Sequence, residues 1–217
     1  MNNGQFLMIS VLIDNPSVEV DWNVTVSSLE RLLSLPTIVS GISILDNNCN
    51  EISFQSFDFS QFTHLKELEI GSNAMNGMNE LGLSNLPFLQ SFYVGSSSLQ
   101  HCIGLIIHNT PSLLSIEIGD HSFQSSVVFN IDMKENSSNL ERLIVGDDCF
   151  QGSQSSFDDE FDIDLNGLSS TPLQLDIHSS FSLLELRLGS QSFSSFNQFN
   201  INSNKTIYLL IDNDCNT

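Results

Sequence analysis

A block of eleven residues, LKELEIGSNAM at positions 65–75, decides the fold because its pattern recurs along the chain. In this block an apolar anchor is followed by an alternating apolar pair, a glycine and a further apolar residue. Self-similarity at a regular interval is the sequence signature of a repeat protein. Four further copies carry the pattern: LQSFYVGSSSL at 89–99, LLSIEIGDHSF at 113–123, LERLIVGDDCF at 140–150 and LELRLGSQSF at 184–193, with Leu183 as the first anchor of the last copy.

Weaker copies of the block flank these five. Positions 8–18 and 39–49 keep the apolar pattern, but Asp14 and Leu45 stand where the glycine is expected. A last copy ends at Asp212. The repeat therefore covers nearly all of the chain, which favours a single array over several unrelated domains.

A second, shorter signature lies between the blocks. It consists of two apolar residues that flank one other residue, and in four coils it begins ten residues after the glycine. In four coils, six residues also separate its second apolar member from the next anchor. This constant spacing supports the repeat independently of the blocks. The pairs are Phe57/Phe59, Leu81/Leu83, Leu105/Ile107, Phe129/Ile131, Leu175/Ile177 and Phe199/Ile201.

Both signatures have the period of two that is typical of a strand with one buried face. A unit of about 24 residues therefore predicts two short strands joined by turns. One coil cannot bury its apolar face alone, so we expect the coils to stack with parallel strands about 4.8 Å apart. The predicted fold class is a mainly β repeat solenoid with two short parallel strands per coil and little helix.

Two positions of the coil carry specific expectations. The glycine after the main strand is expected to adopt a positive φ, which other residues resist. The apolar residue four positions later is expected to stack on its equivalents as a hydrophobic spine. The glycines are Gly71, Gly95, Gly119, Gly146 and Gly189, and the spine residues are Met75, Leu99, Phe123, Phe150 and Phe193.

Two segments depart from the repeat. Residues 24–35 have apolar side chains at helical spacing, with serines near the start and Pro36 after the end, and they predict a short helix. Residues 151–171 are rich in Ser, Gly, Asp and Phe and lengthen the interval between two blocks, which indicates a looped insertion. With these two departures, we expect residues 1–217 to form one continuous solenoid.

The block LxxLxIGxxSF resembles the atypical leucine-rich repeats of the BspA-like kind and their Phe- and Ser-rich relatives in microbial eukaryotes. It departs from the better-known pattern LxxLxLxxNxL, because a glycine follows the strand and no asparagine ladder is apparent in the expected position. The resemblance implies leucine-rich-repeat-like coils that are mainly β, without a regular outer layer of helices. It also implies a role in protein–protein contact or cell-surface attachment, and such proteins often have no assigned activity.

The charge balance is strongly acidic, with 26 Asp and Glu residues against 6 Lys and Arg residues and a formal net charge of −20. The acidity either serves solubility or meets a basic partner or cations. It repels nucleic-acid backbones and anionic membranes. No apolar run approaches the roughly 18–20 residues of a membrane span, and the uncharged N-terminus does not resemble a signal peptide. We therefore expect no nucleic-acid partner, no membrane insertion and, by default, a cytoplasmic location.

One acidic string resembles the start of a calcium-binding loop. Residues 162–167, DIDLNG, match the opening of an EF-hand, but Leu173 stands where the bidentate Glu belongs. Three further acidic residues precede the string, so residues 158–167 are either a solvated acidic loop or a weak Ca²⁺ site. The missing ligand favours the solvated loop.

No group of residues in the sequence marks a catalytic site. The histidines His64, His101, His108, His121 and His178 fall in no nucleophile, metalloprotease or cysteine-paired pattern. The cysteines form no CxxC pair and are expected to pack in the core. They are Cys49, Cys102, Cys149 and Cys215. We therefore expect no enzymatic activity and no bound cofactor.

The outward face of the main strand is the best candidate binding surface. If the residues one and three before each glycine point inward, those two and four before it point outward. One outward row contains Glu69, Tyr93, Glu117, Ile144 and Arg187, and the other contains Glu67, Ser91, Ser115, Arg142 and Glu185. Mixed charge beside exposed Tyr and Ile side chains is typical of protein recognition, although an ordinary solvated sheet face has the same composition.

Three functions fit these observations. A protein–protein interaction scaffold or adhesin-like recognition module, with a protein partner of unknown identity, fits best. The chain is alternatively a structural fragment of a longer repeat array. A carbohydrate-binding β-solenoid is a third reading, which is weakened because tyrosines are scarce and Trp22 is the single tryptophan.

Overall fold

The computed structural model describes residues 22–51, 56–132, 139–152, 174–180, 183–194, 198–203 and 208–211. Its helices are α1 (Leu29–Leu33) and a 3-10 turn at Phe59–Gln61. Its strands are β1 (Asn23–Val26), β2 (Gly41–Ile44), β3 (Ser56–Asp58), β4 (Glu67–Ile70), β5 (Glu80–Ser84), β6 (Ser91–Val94), β7 (Gly104–His108), β8 (Ser115–Ile118), β9 (Val128–Asp132), β10 (Arg142–Val145), β11 (Gln174–Ser180), β12 (Glu185–Leu188), β13 (Gln198–Ser203) and β14 (Tyr208–Ile211).

The strands of the described residues form two sheets that run along the solenoid. The main sheet has eight strands in the order β1-β2-β4-β6-β8-β10-β12-β14. The second sheet has six strands in the order β3-β5-β7-β9-β11-β13. Every strand pairing is parallel, as the crossover from one coil to the next requires. The predicted mainly β solenoid, with two short parallel strands per coil and little helix, is confirmed.

The register of the main sheet gives the length of a coil. Glu67 lies opposite Ser91, and Ser91 lies opposite Ser115, so each of these coils takes 24 residues. The block predicted at 39–49 supplies β2, whereas the block predicted at 8–18 lies outside the described residues. Most of the predicted insertion also lies outside them.

Alternate side chains of the main sheet form two buried columns. Each side chain in these columns is at most 4% exposed. Full burial of such a side chain stabilises the fold by roughly 1.5–3 kcal/mol, so the stability is spread evenly over the coils. One column contains Leu68, Phe92, Ile116, Leu143 and Leu186, and the other contains Ile70, Val94, Ile118, Val145 and Leu188.

The predicted hydrophobic spine is present in the core. The rings of Phe123 and Phe150 stack with centroids 5.1 Å apart, and those of Phe150 and Phe193 with centroids 4.8 Å apart. Met75 and Leu99 are fully buried in the equivalent positions of earlier coils. Phe129 from the second sheet also stacks on Phe150, with centroids 4.6 Å apart. The spine therefore joins the two sheets.

The glycine after the main strand has a different role from the predicted one. None of the five repeated glycines has a positive φ, and in the described residues Gly152 alone among glycines has one. The coils approach each other closely at these glycines instead. A Cβ on Gly95 would lie 2.6 Å from the amide nitrogen of Ser72, and one on Gly189 would lie 2.4 Å from the carbonyl carbon of Gly146. The prediction of a left-handed glycine was therefore wrong, because contact with the preceding coil imposes the small residue.

Left-handed backbone occurs two and four residues after the glycine instead. In one coil Asn73 has a φ of 53° and Met75 a φ of 56°. Such a conformation costs a residue other than glycine about 1–2 kcal/mol. The amide of Asn73 donates to the carbonyl of Ser96 in the next coil, and that of Met75 to the carbonyl of Asn48 in the preceding coil. These hydrogen bonds offset the strain. The same geometry recurs at Ser97 and Leu99, His121 and Phe123, Asp148 and Phe150, and Gln191 and Phe193.

A buried ladder of hydroxyl groups, which the sequence analysis did not predict, runs beside the spine. The Ser98 hydroxyl donates to the carbonyl of Gly71 at 2.6 Å and accepts the amide of Ala74 at 3.1 Å. Ser122 repeats the arrangement with the carbonyl of Gly95 at 2.9 Å and the amide of Ser98 at 3.2 Å. The ladder satisfies backbone N–H and C=O groups inside the turns that follow the main strands. Cys149 and Ser192 occupy the same position in later coils.

The expectation that the coils have no asparagine ladder was wrong for two coils. Two successive coils have Asn47 and Asn73 in the asparagine position of the better-known repeat pattern, and the Asn73 amide donates to the side-chain oxygen of Asn47 at 2.8 Å. One rung of an asparagine ladder is therefore present. The later coils have other polar residues in this position, namely Ser97, His121, Asp148 and Gln191.

The predicted helix is shorter than expected. Helix α1 begins after Ser28, whose hydroxyl accepts the amide of Arg31 at 3.2 Å, and it covers only Leu29–Leu33. Val24 lies in strand β1, opposite Ile42 of β2. The first part of the predicted range was wrong, because pairing with the neighbouring strand outweighs the weak preference of a short helix. None of the helices in the described residues has the length and apolar character that a membrane crossing requires.

Candidate functional site

The ten residues expected to form a binding surface lie in two adjacent rows on the outer side of the main sheet. We call this surface the strand face. The residues between the rows belong to the buried column from Leu68 to Leu186. The first row is Glu67, Ser91, Ser115, Arg142 and Glu185, and the second is Glu69, Tyr93, Glu117, Ile144 and Arg187. The structure therefore brings all ten together, while their role in binding stays a prediction.

Every member of the strand face is accessible to solvent. Glu67, Glu69, Tyr93 and Arg187 are exposed, and the other six are partly exposed. Tyr93 is 43% exposed and lies between Glu69 and Glu117 in its row. An aromatic ring with acidic neighbours on both sides is thus near the middle of the face.

Arg142 connects three coils of the strand face. Its guanidinium forms an ion pair with Glu117 on one side, and its Nε lies 3.0 Å from the carboxylate of Glu185 on the other. Glu185 also forms an ion pair with Arg187, whose Nη2 lies 2.6 Å from the Glu185 carboxylate. Ion pairs with this much exposure contribute only about 0–1 kcal/mol to stability. Their main consequence is that they hold four charged side chains in one arrangement.

The two ends of the strand face differ in charge. The C-terminal end has the paired charges of the Arg142 network, whereas the N-terminal end has the carboxylates of Glu67 and Glu69. Among the ion pairs of the described residues, none includes either of these two glutamates. Glu69 accepts a hydrogen bond from the Ser43 hydroxyl at 2.9 Å. The face therefore has an acidic end and a neutralised end.

The strand face extends beyond the ten predicted residues. Tyr208 lies opposite Glu185 and Leu210 lies opposite Arg187 in the last described strand, β14. Ser43 lies opposite Glu69 at the other end. These positions were not predicted, because Asp212 and Leu45 replace the glycine that marks the register. The continuous apolar run YLLI directly before Asp212 was the signal that could have identified the last strand.

A shallow depression of about 360 Å³ opens beside the acidic end of the strand face. It was not predicted, because Leu45 interrupts the glycine pattern there. Ligand pockets normally enclose most of a small molecule, whereas this depression is open to solvent. Its lining residues are Ser43, Ile44, Leu45, Asp46, Asn48, Glu69 and Gly71.

The described residues contain no group of three or more His, Cys, Asp or Glu side chains arranged to hold a metal ion. The acidic string at 158–167 lies outside them. Cys49, Cys102 and Cys149 are free thiols in the core, as expected, and Cys215 lies outside the described residues. Burial raises the pKa of Cys102 and of Cys149 to about 12 and that of Cys49 to about 11. A buried thiol with a raised pKa is a poor nucleophile at neutral pH.

The histidines of the described residues occupy repeat positions. His108 ends β7 and lies opposite Asp132 of β9, and His178 of β11 lies opposite the same residue. The Nδ1 atom of His121 lies 3.2 Å from the carboxylate of Asp148, which holds the equivalent position in the next coil. These contacts follow the stacking of the coils.

Comparisons with protein-family models, with curated proteins and with solved structures found no match to this chain. The strand face is therefore interpreted from its own geometry and chemistry.

Proposed function

We propose that this chain is a non-enzymatic recognition module, an interaction scaffold or adhesin-like domain, that binds a protein partner through the strand face. The observation that carries the proposal is the uninterrupted double row of ten accessible side chains across five parallel strands. A flat, continuous surface of this kind accommodates a partner protein more readily than a small molecule.

The rigidity of the strand face supports the proposal. Each of its strands is paired on both sides, so the backbone beneath the side chains is fixed. Arg142 is held between Glu117 and Glu185 before any partner arrives. Side chains that are already ordered lose little conformational entropy on binding, which favours affinity.

The composition of the strand face also supports the proposal. Tyrosine and arginine are enriched among the residues that dominate binding energy at protein interfaces. Tyr93 presents an exposed ring near the centre of the face, and Arg142 and Arg187 supply two of the six cationic residues of the chain. Ile144 adds an apolar contact between them. We expect Tyr93 and Arg142 to contribute most to binding.

The charge of the chain defines the kind of partner. With a net charge of −20, the chain repels nucleic acids and anionic membranes, so a protein is the expected partner. Glu67 and Glu69 at the acidic end favour lysine or arginine side chains on that protein. The proposed binding requires no cofactor.

We also infer that the coils are a variant of the leucine-rich repeat, of the BspA-like kind. The support is the order LxxLxIG, the coil of 24 residues and the rung between Asn47 and Asn73. In the later coils a serine stands one residue after the asparagine position. The hydroxyls of Ser98 and Ser122 there hydrogen bond the backbone inside the turn.

Affinity capture followed by calorimetry tests the proposed function. The folded chain is used as bait in a lysate and a surface fraction of its source cells, and each captured protein is then purified. A bait with Tyr93→Ala and Arg142→Ala is expected to lose the partner. The matched control, Glu80→Ala with Ile106→Ala, changes an exposed acidic and an exposed apolar residue on the second sheet. Capture of a glycan instead of a protein would contradict the proposal. Equal loss of the captured partner with the variant bait and the control bait would also contradict it.

A further inference from the structure

Three residues of types that bind metal ions occupy one row of the second sheet. His108 ends β7, Asp132 ends β9, and His178 lies in β11. Asp132 lies opposite His108 on one side and opposite His178 on the other. Neighbouring strands are about 4.8 Å apart, so the two histidines are separated by roughly 10 Å, with the aspartate midway between them. The row therefore has the order histidine, carboxylate, histidine.

This row belongs to the outer face of the second sheet. In β7, Leu105 and Ile107 are fully buried, whereas His108 is partly exposed. Because side chains alternate along a strand, His108 is an outer-face residue. The register gives Asp132 and His178 the same position in their own strands. Their placement rests on this register, since the structure describes the side chain of His108 but not those of the other two.

A buried oxygen atom without a donor lies beside the row. Asn130 precedes Asp132 by two residues in β9, so it belongs to the same outer face. Its side-chain oxygen Oδ1 is buried, and none of the described residues donates a hydrogen bond to it. Buried polar atoms without a partner are rare in folded proteins and indicate a water, an ion or a ligand. Asn130 therefore points to a ligand at this place independently of the row.

We propose that His108, Asp132 and His178 together bind one divalent transition metal ion of the zinc kind. The three side chains supply two imidazole nitrogens and a carboxylate oxygen. Zn²⁺ binds such donors at about 2.0–2.2 Å, and a site with three protein ligands leaves the fourth position to water. A metal-bound water has a hydrogen to donate, and Asn130 Oδ1 is the acceptor nearby. The site thus accounts for the oxygen that has no donor.

The order of the row suits one shared ion. An ion over Asp132 is one strand spacing, about 4.8 Å, from the strand of each histidine. The short carboxylate reaches it from directly beneath, while the longer imidazoles reach it from both sides. The next position of the row, in β5, is Ser84, which lies opposite His108. The ligand set is therefore restricted to three coils and is not a feature of every repeat.

The donor set selects the kind of metal. Two imidazoles favour Zn²⁺ and similar transition metal ions, whereas Ca²⁺ and Mg²⁺ take oxygen ligands. The net charge of −20 concentrates all cations around the chain without distinguishing among them. The row is also separate in the sequence from the acidic string at 158–167, whose oxygen donors suit Ca²⁺. We therefore expect Zn²⁺ to bind at the row even when Ca²⁺ is in large excess.

Calorimetric titration of the metal-free full chain with Zn²⁺, in the presence of excess Ca²⁺, tests this proposal. The expected result is one Zn²⁺ ion per chain. His108→Ala and His178→Ala each remove a ligand. Each should weaken binding by at least about hundredfold, because even residues that only orient metal ligands contribute about 10–100-fold. The control, His64→Ala, removes an exposed histidine from a turn outside the row and should leave the affinity unchanged.

Thermal unfolding without metal verifies that each variant is folded. Zn²⁺ should then raise the melting temperature of the wild type and of the control, but not that of the two row variants. A wild type that does not bind Zn²⁺, undiminished affinity in both row variants, or an equal loss in the control would overturn the proposal. The strand face lies on the other sheet, so the capture experiment and the metal titration fail separately.

Discussion

The hydroxyl of Ser98 donates a hydrogen bond to the carbonyl oxygen of Gly71, 2.6 Å away in the preceding coil. The contact lies at the point where the chain leaves the main strand and where the coils are closest. It joins the buried hydroxyl of Ser98 to a backbone carbonyl of the turn. Repeated along the solenoid, this contact combines a glycine that permits close approach with a hydroxyl that satisfies the backbone.

Loss of one ladder hydroxyl is expected to destabilise the fold. Ser122→Ala leaves the carbonyl of Gly95 and the amide of Ser98 without their buried partner, which costs about 1–3 kcal/mol of unfolding free energy. Ser122→Cys should cost less, because Cys149 holds the same position and its thiol contacts the carbonyl of Gly119. Urea unfolding measures both. The control, Ser72→Ala, changes an exposed serine. An equal loss of unfolding free energy in the control would show that the ladder hydroxyls do not stabilise the fold.

A methyl group on the strand glycine is expected to force the coils apart. In Gly95→Ala the added Cβ would lie 2.6 Å from the amide nitrogen of Ser72, and overpacking of this kind costs about 1–3 kcal/mol or more. Gly104→Ala is the control, because its Cβ would meet only the Cβ of Val128 at 3.6 Å. Thermal unfolding compares the two. If Gly95→Asn were better tolerated than Gly95→Ala, a left-handed backbone would be the reason for the glycine after all.

The positions of the strands and of the strand face were predictable from the sequence. Alternation in ELEI and SFYV assigns Leu68 and Phe92 to the core and Glu69 and Tyr93 to the outside without reference to any neighbour. The glycine then aligns the coils, so the rows across strands follow from the spacing of the blocks. The spine was predictable for the same reason, because Phe123 and Phe150 have the same offset from their glycines.

Features that depend on distances between coils were not predictable. The role of Gly95 follows from the position of Ser72 in the preceding coil, which the sequence of a single coil does not contain. Nothing distinguishes Ser98 and Ser122 from the other serines of a serine-rich sequence, and only the stacking of the coils places their hydroxyls in the core. The ion pair between Arg142 and Glu185 joins residues 43 positions apart. Its formation depends on how the longer interval between the blocks is accommodated.

The buried thiol of Cys149 is expected to make the fold sensitive to alkaline pH. Its pKa is raised by burial from 9.0 to about 12, so the folded state holds the proton more tightly than the unfolded state. The stabilisation is complete below about pH 9 and is lost as pH rises toward about 12, by up to about 1.4 kcal/mol per pH unit. Cys149→Ser, which matches Ser122 and Ser192, should therefore be nearly neutral at pH 7 and more stable than the wild type above about pH 10.

Chemical unfolding of both proteins at several pH values measures this difference. The ionisation of tyrosines and of Cys102 affects both proteins alike and cancels in the comparison. A difference in unfolding free energy that stays constant across the alkaline range would show that the Cys149 thiol does not titrate with unfolding.

The most direct test of the central claim, that the strand face binds a protein, is calorimetric titration of a captured partner into four forms of the chain. These are the wild type, the single variants Tyr93→Ala and Arg142→Ala, and the control, which combines Glu80→Ala with Ile106→Ala. We predict that Tyr93→Ala and Arg142→Ala each weaken binding by about 2 kcal/mol, roughly thirtyfold, and that the control leaves the dissociation constant unchanged. Equal affinity of all four forms would contradict the account and would place the binding site away from the strand face.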